Sequence, residues 1–425
     1  MEFYQQDTML YFIGGYGYSN SALDHVTYPN LTAINVPNVI NAIINGSDFN
    51  TNIKQITDSK FAVTGGRLEK IYNTFYLVGG QKFDGRYNPM NNPTFTQTYT
   101  CQIRKFTINK SGNSLMVNHF PEVTDTANLH RRDYNVLPQI MPNGQQGLTA
   151  FSGVFQTNAN IPYLNCVNID SNGYAVNNSF SQYYNHYHCA NFQLYSSKLN
   201  EMHNVFFGGI AQYYDNLGVL VQDNNSPFVK TIARVTRNVN GLMTEYKLPI
   251  EMPTLLGAGS ELIPIENLPS YSNKVLKFDS ILTDTTLIGY IFGGINSTAP
   301  NIFNNNSSNQ SSANSQIFKV LLIKNSIVGI DKINNQSNNS LQMQVYPNPN
   351  QGNFKVKFVL KQKSKVKISI IDLKGKELLN EEVNNVSIGE NNHSFQLNNQ
   401  SNIGTYIITI KTDYESATQK VIIHP

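Results

Sequence analysis

The sequence predicts an all-β protein, and three observations support this prediction. Four short apolar stretches each end in a pair of glycines, and strand-like segments that close in polar turns follow them. In residues 341–425, lysine alternates with valine, isoleucine and phenylalanine. An alternation of period two is typical of strands with one solvated face. We therefore expect short strands along the whole chain.

The glycine pairs recur along residues 1–330. They are Gly14-Gly15, Gly79-Gly80, Gly208-Gly209 and Gly293-Gly294, and Ser152-Gly153 is a near match. Glycine permits a positive φ and a close approach between backbones. We therefore interpret the pairs as packing devices. A phosphate-binding role is disfavoured, because no predicted helix follows GGYGYS and the spacing of a dinucleotide fingerprint is absent.

Each glycine pair belongs to a unit of four short strands. Arg132 precedes Gly153 by 21 residues, and His188 precedes Gly209 by the same distance. Equal spacing from one landmark predicts equivalent structural positions for Arg132 and His188. Four-stranded units in series are typical of the blades of a β-propeller. Five blades are visible, the first incomplete, and the sequence leaves a total of five or six open.

The glycine pairs, each after three or more apolar residues, resemble those of the kelch-repeat or galactose-oxidase-like propeller family. The resemblance covers residues 1 to about 330 and implies a kelch-like β-propeller. The family's usual tryptophan in the third or fourth strand is missing, because the chain contains no tryptophan. We expect Tyr99, Tyr163 and Tyr246, which lie near these positions, to supply the bulk.

The composition changes after residue 330. Residues 331–340, DKINNQSNNS, are polar and of low complexity, which predicts a linker. Residues 341–425 hold about seven short strands, such as FKVKFVL and GTYIITIKT, and this number predicts a small immunoglobulin-like sandwich. Gly375 in DLKGKEL is expected in a tight hairpin turn.

The order of motifs in this predicted sandwich is distinctive. The domain opens with VYPNPNQGNFKV, continues with DLKGKEL and IGTYIITI, and closes with a strand. It closely resembles the type A sorting domain of the type IX secretion system of Bacteroidetes. The residues that carry the resemblance are Pro347, Asn348, Pro349, Gly352, Gly375 and Gly404.

This resemblance implies a route and a partner. It implies passage through the periplasm, transport across the outer membrane by the type IX secretion machinery, and removal of the tail. The product would then be secreted or fixed to the outer-membrane surface. Export requires a signal peptide, but residues 1–20 lack its basic start and apolar core. We therefore expect the natural N-terminus to lie upstream.

Bulk composition disfavours several classes of function. The net charge is only +3 and no dense Lys/Arg block occurs, which argues against a nucleic-acid partner. No apolar run reaches the roughly 18 residues that a transmembrane segment needs. Cys101, Cys166 and Cys189 show no zinc-binding spacing, and we expect Cys101 and Cys166 to be buried. We predict neither a metal nor a cofactor.

The densest ionisable clusters are HRRDY at 130–134 and NHYHC at 185–189. Because they occupy equivalent strands of neighbouring blades, we expect them to face one pocket. Arginines with imidazoles suit a carboxylate, such as that of a sialic or uronic acid, through bidentate hydrogen bonds. The alternative is structural, with inner strands that satisfy backbone groups and bound water. The candidate ligand-binding residues are Arg131, Arg132, Asp133, Tyr134, His186 and His188.

The sequence favours a carbohydrate- or protein-binding module and leaves an enzyme open. Aromatic residues make up 11% of the chain, and aromatic faces stack on sugars. One alternative is an enzyme acting on acidic sugars, similar to a kelch-type sialate epimerase. The other is a copper oxidase similar to galactose oxidase. In a strand, His186 and His188 would share one side and Tyr187 and Cys189 the other, and the copper ligands cannot be matched residue by residue.

Overall fold

The computed structural model describes residues 1–424 except 88–93, 112–113, 217, 304–307, 325–340, 373–375, 385 and 398–403. The chain divides into two compact units, Met1–Lys324 and Asn325–Pro425. The described residues are almost entirely strands and connecting segments, so the prediction of an all-β fold is confirmed. The predicted linker 331–340 and the hairpin at Gly375 lie outside the described residues.

Five mainly antiparallel sheets follow one another along the described part of the first unit. Sheet 1 contains β1 (Glu2–Gln6), β2 (Met9–Ile13), β5 (Asn30–Asn35) and β6 (Ile53–Thr57). Sheet 2 contains β7 (Arg67–Ile71), β8 (Thr74–Val78), β11 (Gln102–Ser111) and β12 (Ser114–His119), with β13 (Val123–Thr124) beside β11. Sheet 3 contains β14 (Asn135–Ile140), β15 (Gln146–Phe151), β16 (Cys166–Ile169) and β17 (Tyr174–Asn177).

Sheets 4 and 5 complete this series. Sheet 4 contains β18 (Asn191–Ser196), β19 (Glu201–Ile210), β22 (Phe228–Arg237) and β23 (Met243–Glu251), with β25 (Leu276–Lys277) parallel to β18. Sheet 5 contains β24 (Ser260–Pro264), β26 (Thr285–Gly293) and β29 (Phe318–Ile323). None of the sheets in the described part of the chain closes on itself.

Smaller elements are inserted between the strands of these sheets. β3 (Tyr16–Ser19), β4 (Asp24–Thr27), β9 (Gln81–Gly85) and β10 (Phe95–Tyr99) form a side sheet. β20 (Tyr213–Asn216) pairs with β21 (Val219–Gln222), and β27 (Ile295–Ser297) pairs with β28 (Ser311–Ala313). Helix α1 (Val36–Ile44) follows β5, and the Asn35 side chain caps it by accepting from the amide of Asn38 at 3.2 Å.

Strand β8 shows why the chain places bulky residues side by side. Phe75 and Leu77 point into a core shared with sheet 1, and Tyr76 and Val78 point into a core shared with sheet 3. Because successive side chains in a strand point to opposite faces, a strand covered on both faces is apolar at every position. The run FYLV is therefore a strand between two sheets.

The glycine pairs allow close backbone packing, as the sequence predicts, and four of them join consecutive sheets. In Gly14-Gly15, Gly79-Gly80, Ser152-Gly153 and Gly208-Gly209, the second residue donates its amide to a carbonyl of the segment that leads into the next sheet, which we call the lead-in segment. These bonds are Gly15 to Val63 at 2.9 Å, Gly80 to Arg131 at 2.7 Å, Gly153 to His186 at 3.2 Å and Gly209 to Leu256 at 2.8 Å. Both residues of every pair have a positive φ, including Ser152.

The lead-in segments also bind one another. The amide of Asp133 donates to the carbonyl of Gly65 at 2.7 Å, and the amide of His188 donates to the carbonyl of Asp133 at 2.8 Å. The amide of Gly259 donates to the carbonyl of His188 at 2.9 Å. The first strands of the sheets pack in the same order, from β1 through β7, β14 and β18 to β24. Consecutive sheets therefore meet at their first strands.

The second unit has two sheets around one core. One sheet contains β30 (Gln344–Tyr346), β31 (Asn353–Leu360) and β34 (Gly389–Gln396). The other contains β32 (Val366–Asp372), β33 (Glu377–Val383), β35 (Gly404–Thr412) and β36 (Ser416–Ile423). Alternate residues such as Val356, Ile368 and Ile408 are buried in a shared core. This matches the period-two alternation of the sequence.

The PNPN segment ties the start of the second unit to its last strand. The Asn348 side chain donates to the carbonyl of Lys420 at 2.6 Å and accepts from the amide of Ile422 at 2.8 Å. The backbone of Asn350 bonds to Ile422 and His424, both at 2.9 Å. The segment therefore lies along part of the outer edge of β36, where proline rings leave few amide donors exposed.

We predict that alanine at Gly208 destabilises the first unit more than alanine at Gly293. Both glycines have a positive φ, so each substitution costs about 1–2 kcal/mol for the left-handed conformation. A Cβ at Gly208 would lie 2.2 Å from the carbonyl oxygen of Leu256, whereas at Gly293 no atom lies within 4 Å. The collision should add about 1–3 kcal/mol. Calorimetric unfolding of both variants measures the difference, and equal losses would contradict the packing role.

We predict that Asn348→Ala loosens the C-terminal strand. It removes two hydrogen bonds to β36, which should cost about 1–2 kcal/mol of local stability. Hydrogen exchange at the amide of Ile422 measures the effect. Asn380→Ala is the control, because the described contact of that amide group is with Glu377, three residues away. Unchanged exchange in Asn348→Ala would refute the assigned contact.

Candidate functional site

The two ionisable clusters of the sequence lie in neighbouring lead-in segments. HRRDY leads into β14 and NHYHC leads into β18, and the amide of His188 donates to the carbonyl of Asp133 at 2.8 Å. Each segment also receives a glycine amide from the preceding sheet, at Arg131 and at His186. The structure therefore brings both clusters together, although their side chains point in different directions.

Arg131 points into the scaffold. It is fully buried, and its guanidinium donates to the carbonyls of Asn128 and Ser152, both at 2.6 Å. It also donates to the carbonyl of Asn165 at 3.0 Å and to the side-chain oxygen of Asn165. The guanidinium lies over the ring of Tyr163 at 4.0 Å, and burial lowers the pKa of Arg131 to about 10. All three nitrogens of the guanidinium are thus bonded within the protein.

Tyr134 and His186 are also fully buried. The Tyr134 hydroxyl donates to the carbonyl of Val78 at 2.8 Å. His186 Nδ1 accepts from the amide of Gln212 at 3.0 Å, so Nε2 carries the proton and donates to the carbonyl of Gln182 at 2.8 Å. Burial lowers the pKa of His186 to about 4, and the ring is neutral at pH 7. Both side chains bond to the backbone that surrounds the site.

Arg132 and Asp133 form an ion pair close to the surface. Arg132 Nη1 lies 2.5 Å from Asp133 Oδ2, and Arg132 Nε donates to the Tyr99 hydroxyl at 3.1 Å. The guanidinium lies over the ring of Phe155, 5.0 Å from its centroid. The Asp133 side chain is 40% exposed and that of Arg132 only 16%, so the carboxylate faces solvent more than the guanidinium does.

Aromatic side chains frame this ion pair. The ring of Tyr99 stacks on that of His130, with 3.6 Å between centroids, and His130 Nδ1 donates to the carbonyl of Phe155 at 2.7 Å. Burial raises the pKa of the Tyr187 hydroxyl, and Arg132 lies close enough to oppose this increase. The frame combines flat ring faces with a fixed cation and a fixed anion.

His188 bonds on both sides of its ring. Nδ1 lies 3.1 Å from Asn135 Oδ1, and Nε2 lies 2.7 Å from Glu261 Oε1. Burial and the charge of Arg67 lower the pKa of His188, although Glu261 and Asp133 act to raise it. Burial raises the pKa of the Glu261 carboxyl, but the hydrogen bond from His188 and the charges of His188 and Arg67 together outweigh this, and the net pKa is lowered. One proton is therefore held between these two side chains.

The expectation that His186 and His188 share one side of a strand is wrong. Residues 185–188 form no strand, and Asn185 has a φ of 53°. A left-handed residue breaks the strict alternation of side chains along the chain. As a result, the ring of His186 bonds to Gln182 and Gln212, whereas that of His188 bonds to Asn135 and Glu261.

Sequence reasoning did not assign Tyr99 or Phe155 to the site. Tyr99 ends β10 and Phe155 follows β15, so both reach Arg132 from other parts of the chain. The 21-residue spacing between Arg132 and Gly153 gave a partial indication that the segment containing Phe155 lies near Arg132. The amide of Arg132 pairs with the carbonyl of Val154 at 2.7 Å, which places the segment after Gly153 next to Arg132.

The three cysteines are buried thiols, and one of them, Cys189, belongs to the NHYHC cluster. Cys101, Cys166 and Cys189 are buried and form no disulfide, so the predicted burial of Cys101 and Cys166 is confirmed. Burial raises the pKa of the Cys166 and Cys189 thiols to about 12. Within the part of the chain that the structure describes, no group of three or more His, Cys, Asp or Glu side chains could hold a metal ion.

Comparison with known proteins identifies the second unit. Residues 344–424 match the family described as "Secretion system C-terminal sorting domain", which confirms the sorting domain predicted from the sequence. None of the curated proteins compared with the chain matches it. The solved structure titled "Structure of YjhT" is similar with a TM-score of 0.40 and 10% identity, over 98% of this chain and 96% of that chain. A likeness at this level supports no conclusion.

The sorting domain establishes the destination of the protein. The protein is exported by the type IX secretion system, with whose machinery the sorting domain interacts, and it is secreted or held at the cell surface. Among the described residues, no helix has both the length and the apolar character needed to cross a membrane.

We predict that His186 makes the first unit less stable in acid. Its pKa is about 4 in the folded protein and about 6.5 when unfolded, so the unfolded state binds the extra proton as the pH falls from 7 to 4. The wild type should therefore lose about 3 kcal/mol more than His186→Gln over this range.

Urea unfolding of both proteins at pH 7 and pH 4 tests this prediction. Glutamine can replace both hydrogen bonds of the ring without titrating. The carboxyl of Glu245, whose pKa burial raises to about 8, contributes in the opposite direction but equally to both proteins. Parallel losses in the two proteins would contradict the prediction.

Proposed function

We propose that the first unit is a kelch-like β-propeller that binds a carbohydrate or protein ligand outside the cell. Five sheets in series, joined by the same glycine bond at each of four junctions, support the propeller. Propellers offer binding surfaces where the loops of several sheets converge. The Arg132–Asp133 pair lies in the lead-in segment of sheet 3, whose backbone bonds to the lead-in segments of sheets 2 and 4.

The aromatic frame around Arg132 is the observation that carries this proposal. The guanidinium is held by the Asp133 carboxylate, the Tyr99 hydroxyl and the ring of Phe155. A rigid frame costs little entropy when a ligand binds. Ring faces stack on the apolar faces of sugars or on peptide side chains, while the ion pair offers both donors and acceptors to polar groups.

The destination of the protein agrees with this proposal. A protein that is secreted or held at the cell surface meets glycans and surface proteins of its surroundings. The second unit serves export, and in this proposal the first unit is the part that acts after export.

An enzyme acting on acidic sugars is the second candidate. The His188–Glu261 pair favours it, because one proton is held between the two groups at 2.7 Å and could be exchanged with a substrate. Turnover of a uronic or sialic acid by the wild type, lost in His188→Gln with the fold intact, would support this candidate over the binding module.

We predict that Arg132→Ala weakens ligand binding at least about tenfold. The loss of unfolding free energy should stay at about 1–2 kcal/mol, because the side chain makes one ion pair, one hydrogen bond to Tyr99 and a ring contact with Phe155. Arg131→Ala is the matched neighbour, and we expect it to destabilise the first unit by about 3 kcal/mol through the loss of its buried hydrogen bonds.

A glycan array combined with a pull-down of surface proteins identifies the ligand, and titration calorimetry then compares the variants. Unchanged binding by Arg132→Ala would place the ligand elsewhere. A wild type that binds neither glycans nor surface proteins would contradict the proposed function.

A further inference from the structure

We propose that Asp133 makes this site selective for uncharged sugars and excludes ligands that carry a carboxylate. This inference rests on the proposed function and names the class of ligand that the same site accepts. It differs from the expectation, drawn from the residue types alone, that the arginines bind an acidic sugar.

The donors of Arg132 are already partly used. A guanidinium binds a carboxylate bidentately through one of two edges, either Nε with Nη2 or Nη1 with Nη2. Tyr99 accepts the hydrogen of Nε, and Asp133 accepts one of the two hydrogens of Nη1. The Nε–Nη2 edge therefore lacks one of its two donors, and a second carboxylate at the Nη1–Nη2 edge would lie beside that of Asp133.

The charges at the surface of the site also oppose an anion. The side chains of Asp133 and Glu261 are 40% and 43% exposed, against 16% for Arg132 and 17% for His188. An approaching ligand meets these two carboxylates before it reaches the guanidinium of Arg132 or the ring of His188, whose pKa burial lowers. The charge of Arg67 also acts on His188 and Glu261, but it does not remove the carboxylates from the surface. Like charges in close contact are a recurrent means of rejecting the wrong partner.

The other arginine of HRRDY, Arg131, does not change this balance of charge. Arg131 is fully buried and bonded to the Asn128, Ser152 and Asn165 carbonyls. It lies behind the site and offers no donor to a ligand. The two adjacent arginines of the sequence therefore provide a single accessible guanidinium, and that one is already paired.

Uncharged sugars suit the hydrogen-bond donors and acceptors that remain available in the site. A sugar hydroxyl donates as well as accepts, so it can bond to the Asp133 carboxylate and to Nη2 of Arg132 without bringing a charge. Its C–H face can pack on the rings that frame the pair, such as Tyr99. Neutral hydroxyl groups thus satisfy both members of the ion pair, which a carboxylate does not.

Asp133→Asn tests the effect of the charge alone, because it removes the negative charge of the side chain and keeps its shape. Asp133 has a φ of 52°, a left-handed conformation that asparagine adopts as readily as aspartate does. The side-chain oxygen of asparagine can still accept from Arg132 Nη1. The variant therefore keeps the geometry while the site gains one net positive charge.

The test uses the full chain and an array of neutral oligosaccharides printed beside matched oligosaccharides that carry uronic or sialic acid. We expect the wild type to bind neutral members and Asp133→Asn to gain at least about tenfold in affinity for the acidic ones. Glu122→Gln is the control, because it removes a carboxylate between β12 and β13 that pairs with Lys60 at 3.1 Å, and it should leave the profile unchanged.

The outcomes separate this inference from the proposed function. Binding of acidic sugars by the wild type, or no gain in Asp133→Asn, would overturn the selectivity while the proposed binding function stands. An equal gain in Glu122→Gln would show that net charge and not Asp133 sets the preference, which also overturns the inference. If the wild type binds no glycan and no surface protein, the proposed function itself fails.

Discussion

The close approach of two backbones at each glycine pair is the constraint on which the first unit depends. A Cβ at Gly14 would lie 2.0 Å from the carbonyl oxygen of Val63, and one at Gly208 would lie 2.2 Å from that of Leu256. Because no side chain fits there, glycine sets how near consecutive sheets can lie. The amide of the next residue then bonds to the lead-in segment of the following sheet and fixes its position. Order between sheets thus comes from the backbone, while the apolar cores on both faces provide the burial.

The candidate site follows from these junctions. The lead-in segments that receive the glycine amides carry both ionisable clusters, so their positions are set by packing before any ligand is considered. Within one cluster the roles divide between neighbours. Arg131 is buried, which is tolerable because carbonyl and amide oxygens surround its guanidinium, whereas Arg132 reaches the surface and pairs with Asp133. Structural and candidate functional residues are therefore adjacent in the chain but separate in space.

The two units perform separate tasks. The second unit buries one core between two sheets and ties its PNPN segment to its last strand, so it has the contacts needed to fold as a domain. It directs export, as its family shows. Export then brings the first unit into contact with molecules outside the cell, among which the ligand that we propose for the aromatic frame would be found.

The sequence by itself determined the strands, the glycine junctions and the sorting domain, because these depend on local periodicity, on backbone conformations open to glycine, and on short motifs in a set order. The predicted equivalence of Arg132 and His188 is off by one residue, because the backbone bonds between lead-in segments place Asp133 at the position that corresponds to His188. Only the tertiary structure decided which arginine is buried and which rings surround the other. Asp133 and Asn185 have a φ near 50°, so side chains beside them no longer alternate as in a strand. The directions of these side chains depend on neighbours such as Tyr99 and Phe155. These neighbours come from distant parts of the chain, so a local sequence pattern cannot predict them.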